Sequence, residues 1–358
     1  MFKWRNDKIF NLFLSYFGTF LAVIATMSCS KNSKDISLDN KDFAEFIKGV
    51  PTIVIDIDKT DEESVEPFKI IDENSIISEN PANKLLVQPA TCISVNDSLF
   101  IADSKLNSIL NVLIDGKFIK RIGAKGKGPG EFQEPFYISH TKDLFIVQDV
   151  ANHRIQIFDR DFHYLTEIPF LHTPFTSSIS MNSEQLLVLG NNLNEFYVYN
   201  LRDMKDKKAV ISRKITFPLY YNNKSMYYYN TMKLSCADDF LCLYFMNQPF
   251  ILLTDLLGKP FLQIKFTGHA IKKFEEYIKN NTERAIHILI QSVALSEKNI
   301  IIAMGRSLLL LQKHGNTYKL KNNFSVDNNY SVSEISVGQS TIYTCQWSKA
   351  RVLLFKYH

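Results

Sequence analysis

An apolar strand, a short polar turn and a second apolar strand recur six times along this chain of 358 residues. The paired runs are LFIAD with ILNVLID, LFIVQD with RIQIFD, LLVLG with FYVYN, FLCLYF with FILLTD, NIIIAMG with LLLLQK, and TIYTCQW with RVLLFKY. Their first strands begin near Leu99, Leu144, Leu186, Leu241, Ile300 and Ile342, so the basic period lies in the low forties and two intervals are lengthened by insertions. A period of that size has to be explained before any single motif, because each unit buries its apolar faces only against its neighbours.

Each hairpin is flanked by two weaker strand-like runs, such as PFYIS upstream and HYLTEIPF downstream of the second copy. β-Branched and aromatic residues punctuated by turn formers mark strands. Four short antiparallel strands repeated six times imply an all-β, six-bladed β-propeller. A sandwich does not give six like units, and a doubly wound fold needs helices between its strands. The sixth unit ends after three strands, and its missing outer strand is expected from the N-terminal segment, from TIVIDID starting at Thr52 or FKIID starting at Phe68. Such closure from both termini hides an exposed edge. One segment, residues 270–289, has helical apolar spacing through Ile271, Phe274, Ile278, Ala285 and Ile288, and reads as an insertion between blades.

The stretch GAKGKGPGEF, residues 123–132, holds four of the thirteen glycines. A phosphate-binding loop ends in Gly-Lys-Ser/Thr and opens a helix, whereas Gly126-Lys127 is followed by Gly128 and no hydroxyl. The dinucleotide fingerprint fails as well, since Glu131 stands at its last glycine position and Pro129 and Pro135 oppose a helix. The stretch is instead a joint between blades, with Phe132 expected to bury its ring there. Together with the following LFIVQDVANHRIQIFD it resembles the NHL-repeat type of six-bladed propeller, through Gly126, Gly128, Pro129, Gly130, Phe132, Pro135, Asp149, Asn152, Arg154 and Ile155. In that resemblance His153 and Arg154 occupy a structural hairpin turn, with Arg154 paired to nearby acceptors.

Residues 1–28 read as a signal peptide: a basic head, MFKWRNDK, then an apolar run from Ile9 to Met27. Thr26-Met27-Ser28-Cys29 resembles the lipobox of bacterial lipoproteins, with Thr26 where Leu or Val is commoner, which implies lipidation at Cys29. Residues 29–45 then form a polar tether and residues 46–358 the propeller domain. These features together resemble exported propeller lipoproteins of gut-type Gram-negative bacteria, which implies an exported, membrane-anchored protein in the periplasm or at the cell surface. Cys92, Cys236, Cys242 and Cys345 have apolar neighbours and are expected as buried free thiols. They lack zinc-site spacing.

The net charge of +4 lacks the one-sided basic field of a nucleic-acid binder. The expected function is a ligand-binding or protein-interaction module of the cell envelope, taking a glycan, a peptide or an envelope protein. Tyrosine offers a stacking face and a polar tip, so the insertion with Tyr220, Tyr221, Tyr227, Tyr228 and Tyr229 is one candidate surface, and Arg284 and His287 of the helical insertion are a second. The alternative is a metal-dependent hydrolase or lyase, resembling lactonases or amidating lyases, with calcium or zinc at the central channel. That chemistry needs carboxylates or histidines converging from several blades. The eight histidines show no repeated position, so no catalytic residue, metal ligand or cofactor is expected.

Overall fold

The computed structural model describes residues 41–357 apart from 61, 171–177, 191, 193, 208, 221–231, 281–287, 297, 328, 331 and 339. The chain enters through helix α1 (Lys41–Phe46) and strands β1 (Thr52–Asp56), β2 (Glu62–Val65) and β3 (Lys69–Ile71). Six sheets follow. Blade 1 holds β4 (Pro89–Val95), β5 (Ser98–Asp103), β6 (Ser108–Leu113) and β7 (Phe118–Ile122). Blade 2 holds β8 (Pro135–His140), β9 (Leu144–Asp149), β10 (Arg154–Asp159) and β11 (Tyr164–Pro169). Blade 3 holds β12 (Ile179–Met181), β13 (Gln185–Leu189), β14 (Glu195–Asn200) and β15 (Ile211–Thr216), with helix α2 (Leu201–Lys205) between its last two strands. Blade 4 holds β16 (Met232–Cys236), β17 (Leu241–Phe245), β18 (Phe250–Thr254) and β19 (Pro260–Thr267), and helix α3 (His269–Asn280) follows it. Blade 5 holds β20 (Ile290–Leu295), β21 (Asn299–Met304), β22 (Ser307–His314) and β23 (Thr317–Val326). Blade 6 holds β24 (Ile335–Val337), β25 (Thr341–Gln346) and β26 (Arg351–Lys356).

The six expected hairpins are the second and third strands of the six blades. Both faces of these strands are covered by neighbouring blades, so LFIVQD is buried throughout and FILLT likewise. Six apolar clusters fill the six joints. Phe132, Phe145 and Phe158 meet Ile93 and Phe100 between blades 1 and 2, and Ile71, Leu99, Ile101 and Leu354 meet between blades 6 and 1. Outer strands face solvent on one side, and β15 (ISRKIT) buries only Ile215.

The ring closes as expected, and between the two candidate closing strands the structure selects β3. Ile71 pairs with Val352 and Ile70 with Leu353, antiparallel to β26, and Ile71 is fully buried. TIVID instead adds a fifth strand to blade 4, with β1 parallel to β19, and β2 does the same for blade 5 along β23. An isolated parallel bridge from Ile77 to Lys117 then touches the outer edge of blade 1. The N-terminal segment is therefore a belt that covers successive outer edges, which are the aggregation-prone part of a sheet. Helix α1 overlaps the end of the stretch expected as tether, and its Phe43 is buried against Phe245 and Phe250.

The expected helical insertion at 270–289 is present as helix α3, residues 281–287 lie outside the described residues, and Ile288 and Leu289 are not helical. Helix α3 is described over His269–Asn280, and the backbone N–H groups of Leu289 and Ile290 both donate to Met246 O, which commits them to the entry of blade 5. Apolar spacing alone does not separate a helix from the strand entry that follows it.

Residues 123–134 are the joint between blades 1 and 2. Asp149, fully buried, accepts from Gln133 N at 2.6 Å, Asn152 Nδ2 at 2.8 Å, Arg154 Nε at 2.9 Å and Gln156 Nε2 at 3.1 Å. Arg154 also donates to Glu167 Oε2 at 2.8 Å, Gly128 O at 2.8 Å and Glu131 O at 3.1 Å. Burial alone would lower the Arg154 pKa, but the bonds and charges of Asp149 and Glu167 outweigh it and raise it. Phe132 is fully buried, and Gly123, at φ +75°, has no room for a Cβ because the Phe132 ring fills that space. His153, at φ 54°, turns the hairpin.

Candidate functional site

The first strand of each blade is the innermost, and β4, β8, β12, β16, β20 and β24 surround the channel. Each of them carries one serine: Ser94, Ser139, Ser180, Ser235, Ser292 and Ser336. Inner strands of adjacent blades share no backbone ladder, so hydroxyls do the joining. Thr91 Oγ1 donates to Phe136 O at 2.9 Å and accepts from Ile138 N at 3.0 Å, linking blades 1 and 2. Ser178 and Ser180 accept from Leu234 N and Cys236 N at 2.9 and 2.7 Å, linking blades 3 and 4. Ser235 donates to Val293 O between blades 4 and 5, and Ser336 donates to Cys92 O at 2.6 Å across the seam between blades 6 and 1.

Inner strands start on the face of the ring that also carries the connectors between blades. At that mouth four blades bring together a polar set: Tyr137 from β8, Lys233 from β16, Tyr244 from β17, Ser292 from β20, and Glu334 immediately before β24. Ser292, 3% exposed, donates to Glu334 Oε2 at 3.0 Å and accepts from Ile335 N at 3.3 Å, which fixes the carboxylate. Lys233 is 7% exposed, and burial lowers its ammonium pKa while Glu334 works in the opposite direction. Burial pushes Tyr137 up to about 12, against a bond to Ser139 and with help from Glu334 and Cys236. Tyr244 is raised well above its ordinary range by burial and then by Glu334. Burial and Asp238 push the Cys236 thiol up to about 12, so it stays protonated and is a poor nucleophile at neutral pH. The Glu334 carboxyl, the Lys233 amine and the Tyr137 phenol offer directional recognition to a polar ligand in this poorly hydrated setting, with Tyr244 packed behind them in the joint between blades 4 and 5 and bonded to the Val293 backbone.

This cluster escaped the sequence reading because its members lie as far apart as Tyr137 and Glu334 and sit in ordinary strand contexts. The weak signal was a charged residue inside or just before an inner strand, in MKLSC and SEISV. Of the residues singled out from the sequence, Tyr220 packs against Phe43, Phe245 and Phe250 at centroid distances of 5.0, 5.3 and 5.6 Å, which ties it to α1 and blade 4. Cys29, Tyr221, Tyr227, Tyr228, Tyr229, Arg284 and His287 lie outside the described residues. The segments 221–231 and 281–287 run in sequence directly ahead of β16 and, after two further residues, β20.

Among the described residues, Asp159, Asp161 and His163 are close enough to share an ion, but they form an exposed hairpin turn of blade 2. There Asp159 is already engaged by the backbone N–H groups of Asp161 and His163. No helix among the described residues is long and apolar enough to cross a membrane.

The fold and this mouth define a six-bladed β-propeller with a polar cluster at one end of its channel. Residues 48–234 match the family DUF5128, described as a 6-bladed beta-propeller, and the chain belongs to that family. No curated protein matches it. Among solved structures it is similar to a protein of unknown function from Bacteroides thetaiotaomicron, at 10% identity, 80% coverage of this chain, 75% of that chain and a TM-score of 0.51. An exported protein of Bacteroides fragilis is similar at 14% identity, 82% and 88% coverage and a TM-score of 0.49. Streptogramin B lyase is similar at 11% identity, 76% and 84% coverage and 0.48.

Proposed function

We propose that this chain is an exported, lipid-anchored binding module of the cell envelope that takes a short peptide at the mouth of its channel. The observation that carries this reading is the convergence of Tyr137 from blade 2, the paired Lys233 and Tyr244 from blade 4, and Glu334 at the entry of blade 6 onto one poorly hydrated spot. The two ends of a short peptide supply the complementary groups, its N-terminal ammonium for the Glu334 carboxylate and its C-terminal carboxylate for Lys233, and its amides suit the phenols. A neutral glycan would use the phenols and leave both charges without a counterpart in the ligand. Cys29 is the lipidation site in this reading, and the tether that follows it holds the ring away from the membrane.

The test is a thermal-shift panel of free-terminus tripeptides and neutral oligosaccharides on the purified chain. Stabilisation by peptides that disappears on blocking their termini supports the reading. Stabilisation by oligosaccharides alone, or by neither class, overturns it.

A further inference from the structure

The seam between the first and last blades holds two of the four described thiols. Cys92 lies on the inner strand β4 of blade 1 and Cys345 on β25 of blade 6, both project into the cluster that fills this joint, and both are buried. The strands carrying them are neighbours across the joint. The backbone on each side is pinned by a serine, with Ser336 donating to Cys92 O at 2.6 Å and Ser333 donating to Cys345 O at 3.0 Å. Burial, and then the adjacent Cys92 thiol, raise the Cys345 pKa well above its ordinary value. The other two thiols are set apart from this arrangement. Cys242 faces the joint between blades 4 and 5, while Cys236 packs toward the joint between blades 3 and 4 and donates to Ala237 O at 3.3 Å.

We propose that Cys92 and Cys345 form a disulfide that locks blade 6 to blade 1 when the chain folds in the presence of a disulfide-bearing oxidant, such as oxidised glutathione or a disulfide-carrying oxidoreductase. The two S–H bonds break and one Sγ–Sγ bond forms; both electrons and both protons pass to the oxidant, whose disulfide becomes two thiols. A buried, protonated thiol is unreactive, so the bond forms while the seam is closing. Blade 6 is the last to be synthesised, and its docking on blade 1 brings the two thiols together. The bond closes a loop spanning most of the chain, where a crosslink restricts the unfolded state most. Export supplies the oxidising compartment in the cell; the chemistry itself is tested without it.

The experiment refolds the full chain in a reduced and oxidised glutathione mixture, alkylates all remaining thiols under denaturing conditions, and maps the peptides by mass. The expected product joins the Cys92 and Cys345 peptides, lighter by two hydrogen atoms than the pair of thiols, with Cys236 and Cys242 alkylated. The linked protein melts roughly 5 °C or more above its reduced form, and C236S keeps both the link and the shift. Recovery of Cys92 and Cys345 as alkylated thiols, or of either one joined to Cys236 or Cys242, overturns the proposal.

Discussion

Asp149 shows how one residue holds a joint. Its carboxylate is fully buried and accepts four hydrogen bonds, one of them from the Arg154 guanidinium that also grips the carbonyls of Gly128 and Glu131. Asp149→Ala leaves that guanidinium buried without its main partner, and chemical denaturation should show a loss of about 3–5 kcal/mol. Tyr137 makes a second prediction. Its pKa is raised to about 12 by burial, so its contribution to stability is complete below the ordinary tyrosine pKa and is lost as pH rises through the folded value. Stability followed from about pH 10 to 12 should fall with pH in the wild type, and less steeply in Tyr137→Phe. The joint was legible in the sequence because glycine and proline announce their backbone constraints locally. Lys233 and Glu334 were not, because their meeting depends on closing a ring through residues a hundred positions apart.

At the scale of the element, the strands that were easiest to read are those packed on both faces, such as β9 and β18, which appear as unbroken apolar runs. Inner strands such as β12 (ISM) and β24 (ISV) are short and laced by hydroxyls, so they leave little periodicity. Which of two N-terminal runs would close blade 6 was also open, because both are short apolar stretches that run into an aspartate; the structure gives the role to β3 and places β1 on blade 4. This division of labour separates two truncations. Deleting residues 45–75 removes the closing strand and should abolish the cooperative thermal transition seen by circular dichroism. A chain beginning at residue 57 loses α1 and β1, keeps β3, and should still melt cooperatively at a lower temperature. Equal behaviour of the two would remove β3 from its closing role.

For the whole molecule, the belt, the six apolar joints and the hydroxyl links make a rigid ring, and a rigid ring can hold side chains from distant blades in a fixed constellation at its mouth. Glu334 is the group to question, since its carboxylate is oriented by Ser292 and influences Lys233, Tyr137 and Tyr244 alike. Glu334→Gln preserves size and the acceptor for Ser292 while removing the charge. The most direct measurement is calorimetric titration of wild type and Glu334→Gln with free-terminus tripeptides, with circular dichroism confirming that the variant is folded. Binding to the wild type that weakens by about tenfold or more in the folded variant is the predicted result, as expected for loss of a charge-assisted bond. Equal affinity in the two proteins would contradict a peptide site at the mouth of the channel.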